Sequence, residues 1–149
     1  MTATAHALVG GAIAASVQNP ILGITLSAAS HPFLDMIPHW DFGWGWKKKT
    51  KLKLFIQASG DLLLGSGLAY LFFGSSTPFW YLVACIFASE LWDIMEIPYW
   101  FFNWRFPPFG WIYKIQSAMQ GKTKTVFEGI LTQVVAVGLV FLLLQTFIY

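Results

Sequence analysis

Charge is what this 149-residue chain has least of: Asp, Glu, Lys and Arg make up 11% of it, against roughly 25% in an ordinary soluble domain. Too few polar groups remain to cover a globular surface, so the 56% of hydrophobic residues must face something other than water. The same shortage excludes a disordered chain, a coiled coil and a basic nucleic-acid-binding module. Cys85 is the single cysteine, which rules out a disulfide framework. There are only three histidines, His6, His31 and His39, and no lysine or arginine precedes Lys47. Neither a G-x-S-x-G motif nor a phosphate-loop glycine pattern occurs, so nucleophilic serine chemistry and nucleotide binding lose their usual signatures.

What the chain does have is long uncharged stretches: residues 7–30, 62–89 and 129–149 contain no charged side chain. Only helices and closed barrels satisfy their backbone in lipid, and unbroken apolar runs without period-2 alternation argue for helices. The fold expected is an all-α integral membrane protein forming one domain over residues 1–149. About five transmembrane or re-entrant helices are read at about 3–17, 20–37, 52–74, 78–101 and 126–148, with an interfacial segment at about 102–120 before the last. Asn19-Pro20 and Thr77-Pro78 each offer a cap followed by a first-turn proline, and Thr125-x-x-Glu128 reads as a capping box. The first two helices are short and are read as a hairpin that crosses thinly or re-enters. Helix one lacks a positive leading region and is expected to remain in the mature protein.

All nine basic residues fall in two segments, Lys47–Lys53 and Arg105–Lys124. Five alternating crossings put both on one side, which the positive-inside rule makes cytoplasmic. The expected location is the cytoplasmic membrane of a bacterium or archaeon, with the N-terminus and the site inside and the C-terminus outside. That orientation collects every acid and every histidine in the cytoplasmic half of the membrane. Ionisable groups at that depth cost roughly 2.5–3.5 kcal/mol each on insertion scales and mark a functional interior.

The densest piece is Ser30–Asp41. His31 and Asp35, at i and i+4, share a helical face and can offer two ligands to one metal. His39 is a further i+4, and eight residues of helix rise about 12 Å, too far for one ion on a straight helix. Either Pro38 ends the helix and lets His39 and Asp41 fold back, or two metals sit about 3.5–4 Å apart. The expected metal ligands are His6, His31, Asp35, His39, Asp61 and Glu90. Asp93 and Asp41 are the candidates for taking a proton from water, Asp41 equally for orienting a histidine. Mixed imidazole and carboxylate donors suit zinc first, with manganese or iron as alternatives, as one or two ions.

With His6, His31, Leu34, Asp35, Pro38, His39 and Asp41 in an H…H-x-x-L-D-x-x-P-H-x-D arrangement, the chain resembles the small membrane-bound metal-dependent hydrolases of bacteria and archaea. These are distantly similar to zinc-dependent phospholipase C and the S1/P1 nucleases. The resemblance covers about residues 5–65, and Asp61 fits the carboxylate it implies in the next helix. Many members also carry a G-H-R-x-x-T-H-S segment, which has no equivalent here and leaves carboxylates to complete a site. The resemblance implies a metal-dependent hydrolase; a site at the cytoplasmic headgroup level makes a phosphoester of a lipid or isoprenoid headgroup the expected substrate, with membrane lipids as partners and no nucleic acid. A proton- or metal-translocating protein and a non-catalytic protein with a polar packing cluster are the alternatives. Glycine-rich helix faces are compatible with a homodimer.

Overall fold

The computed structural model describes residues 1–123 and 125–146. Among them are seven α-helices and no strand: α1 (Ala3–Ser16), α2 (Pro20–Asp35), α3 (Lys51–Phe73), α4 (Phe79–Ser89), α5 (Leu91–Phe102), α6 (Phe109–Met119) and α7 (Val126–Gln145). Two of them, α3 and α7, are long and apolar enough to cross a membrane, while α1 and α4 are apolar but shorter. The five full crossings expected from the sequence are therefore not confirmed. The fourth expected helix is two, separated at Glu90, and the expected interfacial segment contains α6. Lys124 and the last three positions, on which the end of the fifth expected helix falls, lie outside the described residues.

The cap residues act locally as their chemistry dictates. The Asn19 side chain accepts from Leu22 N at 3.1 Å, with Pro20 opening α2, and Thr125 Oγ1 accepts from Glu128 N at 3.2 Å at the start of α7. Thr77 does not cap α4, because Pro78 intervenes at the cap position and the buried Thr77 hydroxyl has no partner.

At the centre stands α1. Its composition is Ala, Gly and small aliphatic residues, and nine of its residues are buried. At 1.5 Å per residue it is only about 21 Å long, shorter than the roughly 30 Å of a bilayer's hydrocarbon core. Small residues let its neighbours approach closely. Gly65 of α3 lies against Ala3 and Ala7, and Gly11 lies against Ala69 and Phe73, so α3 runs alongside α1 in the same direction. Gly10 faces Cys85 and Ser89 while Tyr81 Oη donates to Val17 O at 2.7 Å, so α4 runs the opposite way. Along α3 and α7 the buried residues are mostly small (Gly65, Ala69, Gly129, Ala136). Large apolar side chains such as Leu63, Leu71, Phe127 and Leu142 point outward. A helix with its bulk outside and its glycines inside is packed for an apolar surrounding.

The first turn of α1 starts beside the middle of α3, inside the bundle, where its free N–H groups need partners. Asp61 supplies them: its carboxylate accepts from Ala3 N at 2.7 Å, Thr4 N at 3.2 Å and Thr4 Oγ1 at 2.6 Å. Gln133 of α7 accepts from Thr2 N at 2.8 Å. At the lysine-bearing end, Lys51 Nζ donates to Phe101 O at 2.6 Å, and Trp46 stacks on Trp100 with centroids 5.7 Å apart. His39 and Lys122 form a short parallel bridge, and Lys51 and Lys122 line one cavity, so residues of the two basic segments share it.

Two outcomes test this packing. A Cβ at Gly65 would meet Ala7 Cβ at 3.0 Å and Ala3 O at 3.1 Å, whereas one at Gly67 meets nothing within 4 Å. Gly65→Val is therefore expected to cost about 1–3 kcal/mol and to lower the thermal unfolding midpoint in detergent, with Gly67→Val unchanged; equal midpoints would refute the α1–α3 contact. Removing the carboxylate in Asp61→Ala strands buried donors at about 1–3 kcal/mol, and Asp61→Asn, which keeps one acceptor oxygen, should fall between it and the wild type in the same measurement.

Candidate metal centre

The site is assembled where α2 ends. Pro32 sits inside α2 and the helix stops at Asp35, with the Ile37 amide turned back to Leu34 O at 3.0 Å. Residues beyond it are held by the α6–α7 connection and by α7. Gly121 N donates to Asp35 O at 2.7 Å, Thr132 Oγ1 to Pro38 O, and Gln133 Nε2 to Trp40 O at 2.7 Å. Freed from helical rise, His39 folds back until its Nε2 lies 3.8 Å from Asp35 Oδ1. This is the first of the two ways by which the His31–His39 spacing was reconciled with a shared site.

His31 and His39 are each oriented through the nitrogen that faces away from Asp35. His31 Nδ1 lies 2.6 Å from Ser89 O and His39 Nδ1 lies 2.8 Å from Ile37 O. A carbonyl only accepts, so in the neutral rings Nδ1 carries the hydrogen and Nε2 presents a bare lone pair. That is the arrangement by which metal-ligating histidines are fixed. The Ser89 carbonyl is available because the chain bends at Glu90 between α4 and α5. His6 reaches the same place from α1. Its ring stacks on His31, with centroids 3.8 Å apart and planes 9° apart, and its Nε2 lies 3.2 Å from Asp35 Oδ1.

Asp35 is the hub: its other oxygen, Oδ2, lies 3.3 Å from His31 Nε2, and the Met1 main-chain nitrogen contacts Oδ1. Asp35 is 1% exposed and the three histidines 0%. His6, His31 and Asp35 offer ligand atoms that all lie within 4.8 Å of one another, a group that could hold a metal ion. Asp41 adds Oδ2 at 3.3 Å from His39 Nε2, and its Oδ1 accepts from Trp44 N at 3.0 Å. Half-buried Asp93 adds Oδ1 at 3.5 Å from His31 Nε2. No lysine or arginine forms an ion pair with these carboxylates among the described residues.

The remaining two expected ligands are placed differently. Asp61 spends both carboxylate oxygens on the first turn of α1. Glu90 is buried at the α4–α5 bend with Oε1 unpartnered and is outside the three-residue group. Two residues went unnoticed in the sequence. Gln116 Nε2 donates to Asp93 Oδ1 at 2.7 Å and lies 3.3 Å from both Asp35 Oδ2 and His31 Nε2. Gln120 Nε2 donates to Asp41 Oδ2 at 2.8 Å and lies 3.4 Å from His39 Nε2. Their signal was an i, i+4 amide pair on one face of an otherwise apolar, aromatic segment.

A cavity of about 920 Å³ reaches this group at Asp35, and the three histidines lie behind its lining. Its polar lining includes Asp35, Asp41, Asp61, Glu90, Asp93 and Gln116, Trp46 and Trp100 contribute aromatic wall, and Lys51 also lines it. Its size is that of a small-molecule or lipid-headgroup site. Compared with family models, with curated proteins and with solved structures, the chain matches none of them.

Proposed function

We propose that this chain is a membrane-embedded, metal-dependent hydrolase acting on a phosphoester of a lipid or isoprenoid headgroup at the cytoplasmic interface. The observation that carries the reading is the buried convergence of His6, His31, His39 and Asp35, in which two rings are tied through Nδ1 to backbone carbonyls. The spacing of the donors fits an ion. Bonds near 2.1 Å give ligand–ligand edges of roughly 3.0–3.4 Å in octahedral or tetrahedral sets. His6–Asp35, His31–Asp35 and His39–Asp41 lie at 3.2, 3.3 and 3.3 Å. Carboxylates gathered out of water are costly unless cations join them, and among the described residues Asp35 has the Met1 α-ammonium group while Asp41 and Asp93 have only histidines. Imidazole with carboxylate favours zinc, ahead of manganese or iron.

Membrane residence is supported by the length and outward bulk of α3 and α7. The sharing of one cavity by residues of the two basic segments supports a cytoplasmic face there, in the membrane of a bacterium or archaeon. In this orientation the N-terminus and the site are inside and the C-terminus is outside. Lys51, on the cavity wall, would attract an anionic headgroup.

Bound at the site, a zinc ion supplies Lewis acidity towards a phosphoryl oxygen and acidifies water. The chain's own residues then do the rest. His31 and His39 keep their Nε2 lone pairs aimed inward. Asp93, half-buried on the cavity side, accepts a proton as the water oxygen bonds to phosphorus, and returns it to the ester oxygen when the phosphorus–oxygen bond breaks. Asp41, steadied by Trp44 N, holds His39 or shares that proton-accepting role. A purely structural role for the cluster is the competing reading, and one observation favours it: the Gln116 and Gln120 amides already donate to Asp93 and Asp41.

Metal content of detergent-purified protein separates the two. The wild type is expected to hold one or two equivalents of zinc, and a His31→Ala/His39→Ala double variant to lose them. A folded wild type that takes up no metal would leave only the packing role. In the zinc-loaded protein, Asp93→Asn is expected to keep its metal and lose about 10²–10⁴-fold in hydrolysis of phospholipid or isoprenyl phosphoesters; a metal-loaded wild type inert towards both sinks the hydrolase reading.

A further inference from the structure

We infer that Gln116 is itself a ligand of the metal centre, through its carbonyl oxygen, and that α6 is thereby fastened across the site when the ion binds. The inference rests on the metal-centre reading above and concerns a residue that no histidine–carboxylate pattern would select.

The amide of Gln116 is poorly matched to its present surroundings. Its nitrogen has two hydrogens but faces three acceptors: Asp93 Oδ1 at 2.7 Å, Asp35 Oδ2 at 3.3 Å and His31 Nε2 at 3.3 Å. Its oxygen, Oε1, is buried with no partner. An unpartnered buried carbonyl costs about 1–3 kcal/mol, so one end of the amide has too many partners and the other none. Nitrogen and oxygen of a terminal amide are nearly equal in size, and a half-turn about the last torsion exchanges them without moving the helix.

A cation reverses which end belongs in the cluster. Without one, lone pairs of two carboxylates and an imidazole call for hydrogens, and the nitrogen faces in. With one, the Asp35 and His31 lone pairs point at the ion, the hydrogens are repelled and the oxygen is attracted, while Asp93 is released to act on water. Oε1 would then take the nitrogen's position. The distances of that position from the three site atoms approach the ligand–ligand edges of roughly 3.0–3.4 Å already found between the histidines and carboxylates. It also lies on α6, away from the helices that supply His6, His31 and Asp35, where three-residue coordination leaves the ion uncovered. A neutral oxygen keeps more of the ion's positive charge for an anionic substrate than a fourth carboxylate would. Gln120, one turn on, faces His39 and Asp41 in the same manner and holds the end of α6 beside the centre.

The test is zinc affinity of the full-length protein by competition with a chromophoric chelator, paired with the visible absorption of the cobalt-loaded form. Gln116→Leu, which removes the oxygen, is expected to weaken zinc binding about tenfold to a hundredfold. Gln116→Glu, nearly isosteric, is expected to fold, to bind zinc at least as tightly as wild type and to shift the cobalt d–d bands, because the inner ligand changes from neutral to anionic. Wild-type affinity in Gln116→Leu overturns the inference, as does a cobalt spectrum unaltered in Gln116→Glu. Either result would leave the metal centre itself standing. A wild type that binds neither ion would instead remove the centre and this ligand together.

Discussion

The fold depends on starting a helix inside the bundle. The first turn of α1 begins beside the middle of α3, partly buried in the fold, and its free amides are met by protein. Asp61 and Gln133 meet them from α3 and α7, and the helix is held at a fixed depth. That depth brings His6 level with the end of α2, so its ring stacks on His31 and its Nε2 reaches Asp35. Move α1 by one turn and the three-residue group is lost. The glycines and alanines around it serve the same end, since only side chains of that size let α3 and α4 come close enough to hold it.

The local part of this design was legible. Long uncharged runs located four of the helices to within a few residues, and the Asn19 and Thr125 caps act through neighbours three residues away. His31 and Asp35 were visible as a pair because helical periodicity alone aligns them, and Pro38 announced that His39 would leave the helix. What escaped was set by contacts between distant segments. Nothing in the sequence around Glu90 resembles a helix breaker; the chain bends where the Ser89 carbonyl takes a partner from α2. Asp61 looked like a ligand because an acid in an apolar helix invites that reading. Its true neighbours lie almost sixty residues away, at the start of the chain. Gln116 and Gln120 were hidden among aromatic residues that suggested an interface and nothing more.

The outer surface and the inner site obey opposite rules. On α3 and α7 large apolar side chains face outward, and contact with the rest of the fold is made through small residues together with Asp61, Thr132 and Gln133. Around Asp35 the three histidines are fully buried and turn Nε2 towards its carboxylate. The aromatic cavity connects the two regimes, with both lysines and carboxylates in its lining.

The bend at Glu90 has one more meaning. A carbonyl released from a helix ladder has been handed to an imidazole, so the shape of the α4–α5 rod and the position of a single hydrogen on His31 are one variable. A straight rod would reclaim Ser89 O for its own amide and free the ring to carry its hydrogen on either nitrogen. The break between α4 and α5 thus fixes which nitrogen of the neutral His31 ring carries its hydrogen.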